Sequence, residues 1–255
     1  MSTADSPARV IVTGASGRMG EALIDAAGDR EDVLIVAGVA RNEAAATADV
    51  PVGTDLEATL DGEAAIDAVV DFTAPEATAS FAGVAADHGA AFVTGTTGLA
   101  GHDADPVGAL DAASDAIPVL HASNFSRGIA ALRGAVREAA ASLPGYDVEI
   151  TETHHNGKRD APSGTALTLV EDIERERPEL TARQHGREGD QPRDDGEIGV
   201  HARRAGDVTG DHEVLFAGNR ETVSLSHSAG DRGVFAEGAL DAAVALVGRE
   251  PGRYE

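Results

Sequence analysis

The chain carries its most informative pattern at residues 9–20, which read RVIVTGASGRMG. Residues 9–13 form the short apolar run of a buried strand, and from Met19 onward apolar residues recur at the spacing of an amphipathic helix. The junction between them carries three glycines: Gly14, Gly17 and Gly20. Glycines at such a junction permit a tight turn and let backbone N–H groups approach a pyrophosphate at the helix N-terminus. The pattern predicts a dinucleotide-binding unit, with a purely structural strand–helix turn as the alternative.

Alternating strands and helices follow this unit along the first half of the chain. Pro75 suits the first turn of a helix that ends near Gly89. Four more apolar runs have the length of buried strands: residues 33–39, 68–72, 91–94 and 117–120. This alternation predicts an α/β fold, namely a Rossmann-type doubly wound parallel sheet.

The pattern changes after about residue 145. Val148 and Ile150 alternate with acids, as in a half-exposed strand, and Ser163 is placed as the N-cap of a helix. Residues 183–196 lack periodicity and predict a loop. Further strands are predicted at residues 197–204, 211–217 and 220–228, and a final helix at residues 234–247. This clustering of strands predicts a second, α+β domain with a mixed sheet.

We therefore predict two domains within the 255 residues. The dinucleotide-binding domain takes residues 1–125 plus 231–255, because the last helix has the apolar face to return to the first sheet. The second domain takes residues 126–230. A chain of this length is ample for two packed cores.

The chain is strongly acidic along its whole length. Its 44 Asp and Glu residues outnumber 20 Lys and Arg, which gives a formal net charge of −24. Nucleic acids and anionic membranes bind basic patches, so we expect neither as a partner. Dispersed acids with a single lysine indicate a halophilic protein, because high salt screens self-repulsion. An acidic surface for a basic partner is the alternative.

Composition also excludes several chemistries. The chain has no cysteine, so disulfides, thiolate metal sites and cysteine nucleophiles are ruled out. No apolar run approaches the roughly 18 residues of a membrane helix, and the N-terminal residues lack the apolar core of a signal peptide. We therefore expect a cytoplasmic protein.

The single lysine, Lys158, lies in the densest run of polar, catalytic-type residues, HHNGKRDAPSGT at 154–165. A lysine can release its proton when its surroundings lower its pKa, whereas arginine stays protonated. A lysine retained beside His154 and His155 therefore suggests acid–base chemistry, with chance retention of a surface lysine as the alternative. The two histidines lack the HxxxH spacing of helical zinc sites, so we expect no metal. For His155 an ordinary packed histidine is the alternative.

The predicted helix start at residues 163–165, Ser-Gly-Thr, suits an anionic ligand, because the first N–H groups of a helix lack intrahelical partners. Simple capping by Ser163 is the alternative. Upstream, the second strand ends at Arg41 without an acid beside it, which favours the 2′-phosphate of NADPH. Glu43 lies close enough to Arg41 in the sequence to leave NADH possible as the cofactor.

Together these motifs resemble the 4-hydroxy-tetrahydrodipicolinate reductase (dihydrodipicolinate reductase) family of the diaminopimelate route to lysine. The resemblance runs from about Arg9 to Val247, and its most specific part is the run HHNGKRDAPSGTA. It also includes GASGRMG (14–20), VDFTAPE (70–76), GTTG (95–98), SNFSRG (123–128), EITETHHNGKRDAPSGTA (149–166), GREG (186–189) and RAGD (204–207).

The resemblance implies an NAD(P)H-dependent oxidoreductase that forms a homotetramer through its second domain. The reaction would remove water from a cyclic dicarboxylate and deliver hydride to C4 of its ring. Members that use NADH carry a glutamate where this chain has Ala40, which favours NADPH.

The resemblance also implies roles for individual residues. His154 and Lys158 would be the acid–base residues, and either could supply the proton. The pyrophosphate would be wrapped by Gly14, Ala15, Ser16, Gly17, Arg18 and Met19. The nicotinamide side would be lined by Gly95, Thr96, Thr97, Ser123, Asn124, Phe125 and Ser126. The substrate dicarboxylate would be bound by His155, Ser163, Gly164 and Thr165.

Other function classes fit the sequence less well. A short-chain dehydrogenase needs a tyrosine and a lysine four residues apart, and neither Tyr146 nor Tyr254 has that partner. Aldehyde dehydrogenation through a thioester needs a cysteine. A regulatory protein that senses NADPH without turnover is the main rival, but a sensor has no use for Lys158 together with two histidines.

Overall fold

The computed structural model describes residues 6–42 and 50–254. Along the chain its strands are β1 (Ala8–Thr13), β2 (Val33–Val39), β3 (Val52–Gly53), β4 (Ala68–Asp71), β5 (Ala91–Thr94), β6 (Pro118–His121), β7 (Asp147–His154), β8 (Ala182–Gln184), β9 (Glu197–Arg204), β10 (Gly210–Gly218), β11 (Glu221–Ala229) and β12 (Gly252–Tyr254). Its helices are α1 (Arg18–Gly28), α2 (Leu56–Gly62), α3 (Pro75–Asp87), α4 (Pro106–Ser114), α5 (Arg127–Ser142), α6 (Gly164–Glu176) and α7 (Gly233–Leu246).

The described residues form two compact units. The first lies within residues 1–125 and 232–255, and the second spans Ser126–Asp231. None of the helices in the described ranges is both long and apolar enough to cross a bilayer.

The first unit is built on a seven-stranded sheet in the order β12-β6-β5-β4-β1-β2-β3. Every neighbouring pair in it is parallel. Apolar residues from α1 and α7 cover one face, and those from α2, α3 and α4 cover the other. The doubly wound sheet predicted from the sequence is confirmed.

The central strands are apolar on both sides because both faces are covered by helices. In β1, Val10 and Val12 join the core under α1 and α7, whereas Ile11 between them joins the core on the opposite face. All three side chains are fully buried. The predicted return of the last helix is also observed, because α7 packs against α1, β4 and β5.

The second unit has a five-stranded mixed sheet in the order β11-β10-β7-β9-β8. Strand β9 is parallel to both β7 and β8, whereas β10 is antiparallel to β7 and β11. Buried residues of α5 and α6 share one apolar core with this sheet, including Val136, Leu169, Ile150 and Phe216. The predicted mixed sheet is therefore confirmed.

Six elements were not predicted from the sequence: β3, α2, α4, α5, β8 and β12. Five of them have nine residues or fewer, whereas α5 has 16. Strand β8 takes the first two residues of the stretch 183–196 that was predicted to be a loop. The rest of that stretch contains no helix or strand up to residue 196, as predicted.

Candidate active site

The strand order of the first sheet places a ligand crevice at the ends of β1 and β4. The chain runs from β1 outward to β2 and β3, then crosses back to β4 and continues in the other direction. Ligands of open parallel sheets bind beyond the carboxyl ends of the strands where this reversal occurs. Gly14 follows β1 at this point, and Phe72 follows β4.

The glycine turn has a geometry that side chains would block. Gly14 has a φ of +76°, and a Cβ there would lie 2.8 Å from the Phe72 carbonyl oxygen. A Cβ on Gly20 would lie 2.3 Å from the Gly14 carbonyl oxygen, so α1 can pack against the turn only with glycine there. Gly17 is the N-cap of α1 and has no side chain to cover the helix N-terminus. The N-terminus of α1 is thus left accessible to an anionic group.

A cavity of about 420 Å³ opens beside this turn. Its lining combines the turn, the end of β2 and the start of α3: Gly14, Ser16, Gly17, Val39, Ala40, Arg41, Thr54, Phe72, Thr73, Ala74, Ala77 and Phe81. The lining is largely apolar, with the glycine turn at one side and one guanidinium. This composition suits a dinucleotide, which has flat rings and a charged centre.

The predicted cofactor residues of the turn divide into two groups. Gly14, Ser16 and Gly17 line the cavity. Ala15 is buried, and a Cβ added to Gly38 would lie 2.6 Å from the Cβ of Ala15. The predicted residues that open α1 do not line the cavity: Arg18 is exposed, and Met19 packs against the core.

Arg41 lies in the cavity lining beside Ala40, directly after β2. This is where the ribose of the adenosine half is read in folds of this kind. Glu43, which kept NADH open, lies outside the described residues.

The remaining predicted cofactor residues lie on loops that follow β5 and β6. A Cβ on Gly95 would lie 2.0 Å from the Phe72 ring, so glycine lets this ring pack against the backbone. Phe72 in turn meets Phe125 edge to face, with ring centroids 5.8 Å apart. Of the described residues that line the 420 Å³ cavity, none comes from 95–97 or 123–126. Within these two loops, Thr97 and Ser123 are exposed, Asn124 is half-buried and Ser126 is buried.

His121, at the end of β6, is a polar residue of this region that the sequence did not single out. Its Nε2 lies 3.1 Å from the Thr96 carbonyl oxygen. Burial lowers the pKa of His121, against the opposing effect of this hydrogen bond. The ring therefore stays neutral at neutral pH and ties β6 to the loop after β5.

A buried carboxylate organises the strand ends around the crevice. Asp71 is fully buried at the end of β4. It accepts hydrogen bonds of 2.6 to 2.9 Å from five threonine hydroxyls: Thr13, Thr73, Thr78, Thr94 and Thr96. These threonines belong to β1, β5, the first turn of α3 and the two loops that follow β4 and β5. Asp71 thereby fixes these five segments of the crevice wall relative to one another.

In the second unit, the predicted acid–base residue His154 lies at the end of β7. Its Nδ1 is 2.6 Å from Oε2 of Glu152, which is fully buried two residues earlier on the same face of the strand. Arg204 on β9 donates to both carboxylate oxygens of Glu152, at 2.7 and 2.9 Å. The Ser163 backbone N–H completes the set with a 3.0 Å bond to Oε1.

The loop that carries Lys158 is anchored to the same residues. The Lys158 Nζ lies 2.8 Å from Oδ1 of Asp160, and the Asp160 carbonyl accepts a 2.6 Å hydrogen bond from Arg204. The Asn156 backbone N–H donates to the Gly206 carbonyl in the turn between β9 and β10. The Lys158 side chain is 21% exposed, so its ammonium group is reachable by a small molecule.

Ser163 is the N-cap of α6, as predicted. Its hydroxyl accepts a 3.2 Å hydrogen bond from the Ala166 N–H and lies 3.2 Å from Nε2 of His212. The His212 ring meets the His154 ring edge to face, with centroids 5.2 Å apart. The structure thus gathers His154, Ser163, Glu152 and His212 into one cluster at the N-terminus of α6.

The ionisation of this cluster follows from burial and pairing. Burial alone would raise the pKa of Glu152, but hydrogen bonds from Arg204 and His154 outweigh it and hold this pKa below its usual range. Burial, and then the nearness of His154, lowers the pKa of His212 to about 4. At neutral pH the cluster therefore holds a carboxylate at Glu152 and a neutral imidazole at His212.

The other predicted substrate residues lie around the same cluster. His155 directly follows β7 and is half-buried, and a Cβ on Gly157 would lie 3.4 Å from its Nδ1. Gly164 and Thr165 form the first turn of α6. A helix N-terminus beside a cationic loop is suited to an anion such as a carboxylate.

Sequence reasoning missed four residues that organise the two sites: Asp71, Glu152, Arg204 and His212. A signal was present for Glu152, because it continues the inward-facing alternation of Val148 and Ile150 where an apolar residue is expected. No comparable signal existed for Arg204 and His212, because their partners are distant in sequence.

Comparisons with known proteins agree with the geometry over the whole chain. The family model described as dihydrodipicolinate reductase, N-terminus, matches residues 8–125, and the C-terminus model of that family matches residues 128–255. A 4-hydroxy-tetrahydrodipicolinate reductase from Haloarcula marismortui is 50% identical, over 97% of this chain and 96% of that protein. The protein of the same name from Natronomonas pharaonis is 48% identical, over 96% and 97%.

A solved structure shares the fold. The dipicolinate-bound dihydrodipicolinate reductase from Paenisporosarcina sp. TG-14 superposes with a TM-score of 0.75 at 24% identity, covering 97% of each chain. The family resemblance predicted from the motifs is thus confirmed by sequence matches to both halves. The chain belongs to the dihydrodipicolinate reductase family.

Proposed function

We propose that this chain reduces 4-hydroxy-tetrahydrodipicolinate to tetrahydrodipicolinate with NAD(P)H, in the diaminopimelate route of lysine biosynthesis. Its relatives at up to 50% identity carry the name of this activity. The reaction removes water from the ring and adds hydride at C4.

One observation carries the proposal most strongly. The second unit holds an imidazole, an ammonium group and a helix N-terminus around the buried carboxylate of Glu152. An NADPH sensor without turnover needs the dinucleotide cavity but gains nothing from this arrangement. A reductase needs it, because a doubly negative substrate must be held and a proton must be supplied during the reaction.

The residues of the first unit fit a nicotinamide dinucleotide. The positive φ of Gly14 and the absent side chain at Gly17 leave room for a pyrophosphate at the N-terminus of α1. Gly14, Ser16 and Gly17 would hold this group, and Arg41 would face the adenosine ribose. When bound, the reduced cofactor supplies the hydride.

The residues of the second unit would bind and protonate the substrate. His155, Gly164 and Thr165, with the cap at Ser163, would receive the carboxylates, because helix N-terminal N–H groups and cations stabilise negative charge. Hydride arrival leaves electron density on the ring, so an acid must deliver a proton. His154 and Lys158 would serve as the acid–base pair, with an imidazole well suited to exchange near neutral pH.

We propose NADPH as the preferred donor, with NADH also accepted. Arg41 in the cavity, without an acid at Ala40, supports this choice because a guanidinium pairs with a 2′-phosphate.

Arg41→Ala should raise KM for NADPH at least about 10-fold and leave KM for NADH within about 2-fold. The matched control is Arg249→Ala, which removes an exposed guanidinium of the same unit that bonds only to the Ala245 carbonyl among the contacts of the described residues. Equal losses for both cofactors would contradict the assignment.

We also propose that the chain works as a cytoplasmic homotetramer in a high-salt cell. Both helices of the second unit pack on one face of its sheet, and β11 is the edge strand. Along β11 the exposed positions are mostly serine and threonine, which suits association through this sheet. Light scattering across salt concentrations tests the assembly, and a monomer at every salt concentration would contradict it.

Turnover distinguishes the reductase from the sensor. The protein should consume NADPH only when the cyclic substrate is added, and the product should have lost water and gained two hydrogens. A folded protein that binds NADPH and leaves the substrate unchanged would favour the sensor.

A further inference from the structure

We propose that Glu152 is a positioning residue that fixes the tautomer of His154 and holds the Lys158 loop and the start of α6 in place. This inference deepens the proposed function and rests on it, because it assigns His154 a proton-exchanging role. Glu152 itself is fully buried and reaches the reaction only through its partners.

The four hydrogen bonds of Glu152 join three parts of the candidate site, those that carry His154, Ser163 and Arg204. Oε2 accepts from His154 and Arg204, and Oε1 accepts from Arg204 and the Ser163 N–H. Four bonds of 2.6 to 3.0 Å saturate the two oxygens of a carboxylate. A carboxylate whose acceptor sites are all occupied is held in one orientation. It therefore also fixes the position of each hydrogen-bond partner.

The bond to His154 determines where that ring carries its exchangeable proton. Glu152 is an ionised acceptor, so Nδ1 of His154 must donate to it. The lone pair or second proton then resides on Nε2, the atom that faces away from the carboxylate. Gly210 borders this atom, and a Cβ there would lie 3.1 Å from Nε2. The strand thus has a glycine where a larger residue would crowd the exchanging nitrogen.

The same carboxylate organises the lysine loop through Arg204. Arg204 donates hydrogen bonds to Glu152 from both terminal nitrogens and also donates to the Asp160 carbonyl. Asp160 is the residue whose side chain pairs with Lys158. A change at Glu152 therefore alters two of the four hydrogen bonds that hold the Arg204 guanidinium against the partner of Lys158.

The charged and titratable groups around His154 leave Glu152 as the dominant influence. In the described structure, β9 contributes Arg204, paired in register with His154, and β10 contributes His212, whose ring is neutral. The first turn of α6 contributes the uncharged Ser163. Glu152 is the negative group in contact with the ring, so it determines which ring nitrogen donates.

The test compares Glu152→Gln with Glu149→Gln. Glu149 lies on the opposite face of β7 and also pairs with a histidine, since its Oε2 is 2.6 Å from Nε2 of His201. Both variants thus lose one carboxylate paired with an imidazole and an arginine. We expect Glu152→Gln to lower kcat at least about 100-fold, as the loss of a tautomer-fixing carboxylate does elsewhere. The shape of the pH–kcat profile should also change, because the hydrogen-bond acceptor of His154 is no longer charged, and Glu149→Gln should change neither.

A second measurement determines the tautomer of His154 directly. In protein labelled with ¹⁵N-histidine, with His154 assigned through His154→Gln, the neutral ring should carry its proton on Nδ1. In Glu152→Gln it should become a mixture of tautomers. A wild-type ring protonated on Nε2, or Glu152→Gln turnover equal to that of Glu149→Gln, would overturn the inference.

The two arms also separate the inference from the proposed function. A wild-type protein without turnover defeats the proposed reaction, while the tautomer measurement still decides the role of Glu152. If Glu152→Gln fails to fold, as judged by circular dichroism, the wild-type tautomer alone decides: Nδ1–H supports the inference, and Nε2–H overturns it.

Discussion

Lys158 and Arg159 are adjacent cations in different surroundings. Lys158 is partly buried and paired with Asp160, whereas Arg159 is exposed. Asp160 links the ammonium group of Lys158 to the His154 cluster, because the Asp160 carbonyl accepts a hydrogen bond from Arg204. The neighbouring arginine is therefore a matched control for the lysine.

Lys158→Ala should lower kcat at least about 100-fold, because it removes an acid–base group and a positive charge from the substrate site. Arg159→Ala should change kcat less than about 3-fold, as expected of an exposed charge. Steady-state kinetics with saturating NADPH measure both. Equal losses in the two variants would remove the special role of the lysine.

His212 should make the stability of the protein depend on pH. Its pKa is about 4 in the folded chain against 6.5 unfolded, so the unfolded state binds the extra proton first as pH falls. The free energy of unfolding should therefore drop between about pH 6.5 and pH 4, by about 3 kcal/mol from this residue.

Urea titrations of the wild type and His212→Gln across that range measure the effect. The variant should be less stable at pH 7, and its stability should fall less steeply with acid. Parallel curves for the two proteins would show that the buried ring does not govern this dependence.

Among the structural elements, the strand ends of the first sheet depend most on one side chain. Asp71→Ala leaves five threonine hydroxyls, four of them on buried residues, without their acceptor, so it should lower the free energy of unfolding by at least about 3 kcal/mol. It should also weaken NADPH binding, because these threonines hold the loops of the crevice. Asp87→Ala, at the exposed end of α3, is the control. Chemical denaturation and cofactor titration check the two effects, and an Asp71→Ala protein as stable as the control would contradict them.

Most long elements could be predicted from sequence, whereas the shortest strands and the 16-residue helix α5 could not. Strand β1 and helix α1 were predictable because Val10–Val12 and the residues after Met19 have clear periodicity. Strands β3 and β12 have two and three residues, too few for any period. Helix α5 has an apolar face at Ile129, Leu132 and Val136, but its alanines blur the contrast with the other face.

The candidate site shows the same division. The residues of the glycine turn and of the run around Lys158 are close together in the sequence, so both patterns could be identified from the sequence alone. The contacts of Asp71, Arg204 and His212 join residues that lie up to 58 positions apart. Only the pairing of strands brings such residues together.

On the scale of the whole molecule, the net charge of −24 should make stability depend on salt. Charges of one sign repel across the surface, and the screening length falls from about 10 Å at 0.1 M salt to about 3 Å at 1 M. The melting temperature should therefore rise by several degrees between these concentrations of KCl. Calorimetry at matched pH measures it, and a constant melting temperature would contradict a salt-adapted surface.

We propose that this chain transfers hydride from a reduced nicotinamide to a cyclic dicarboxylate with the help of Lys158 and His154. The most direct test uses NADPH deuterated at the transferring position and follows the label into the product by NMR. We predict one deuteron per turnover at C4 of the ring with the wild-type protein, and at least about 100-fold less labelled product in the same time with Lys158→Ala. A product that lacks the label, or carries it at another carbon, would contradict the account.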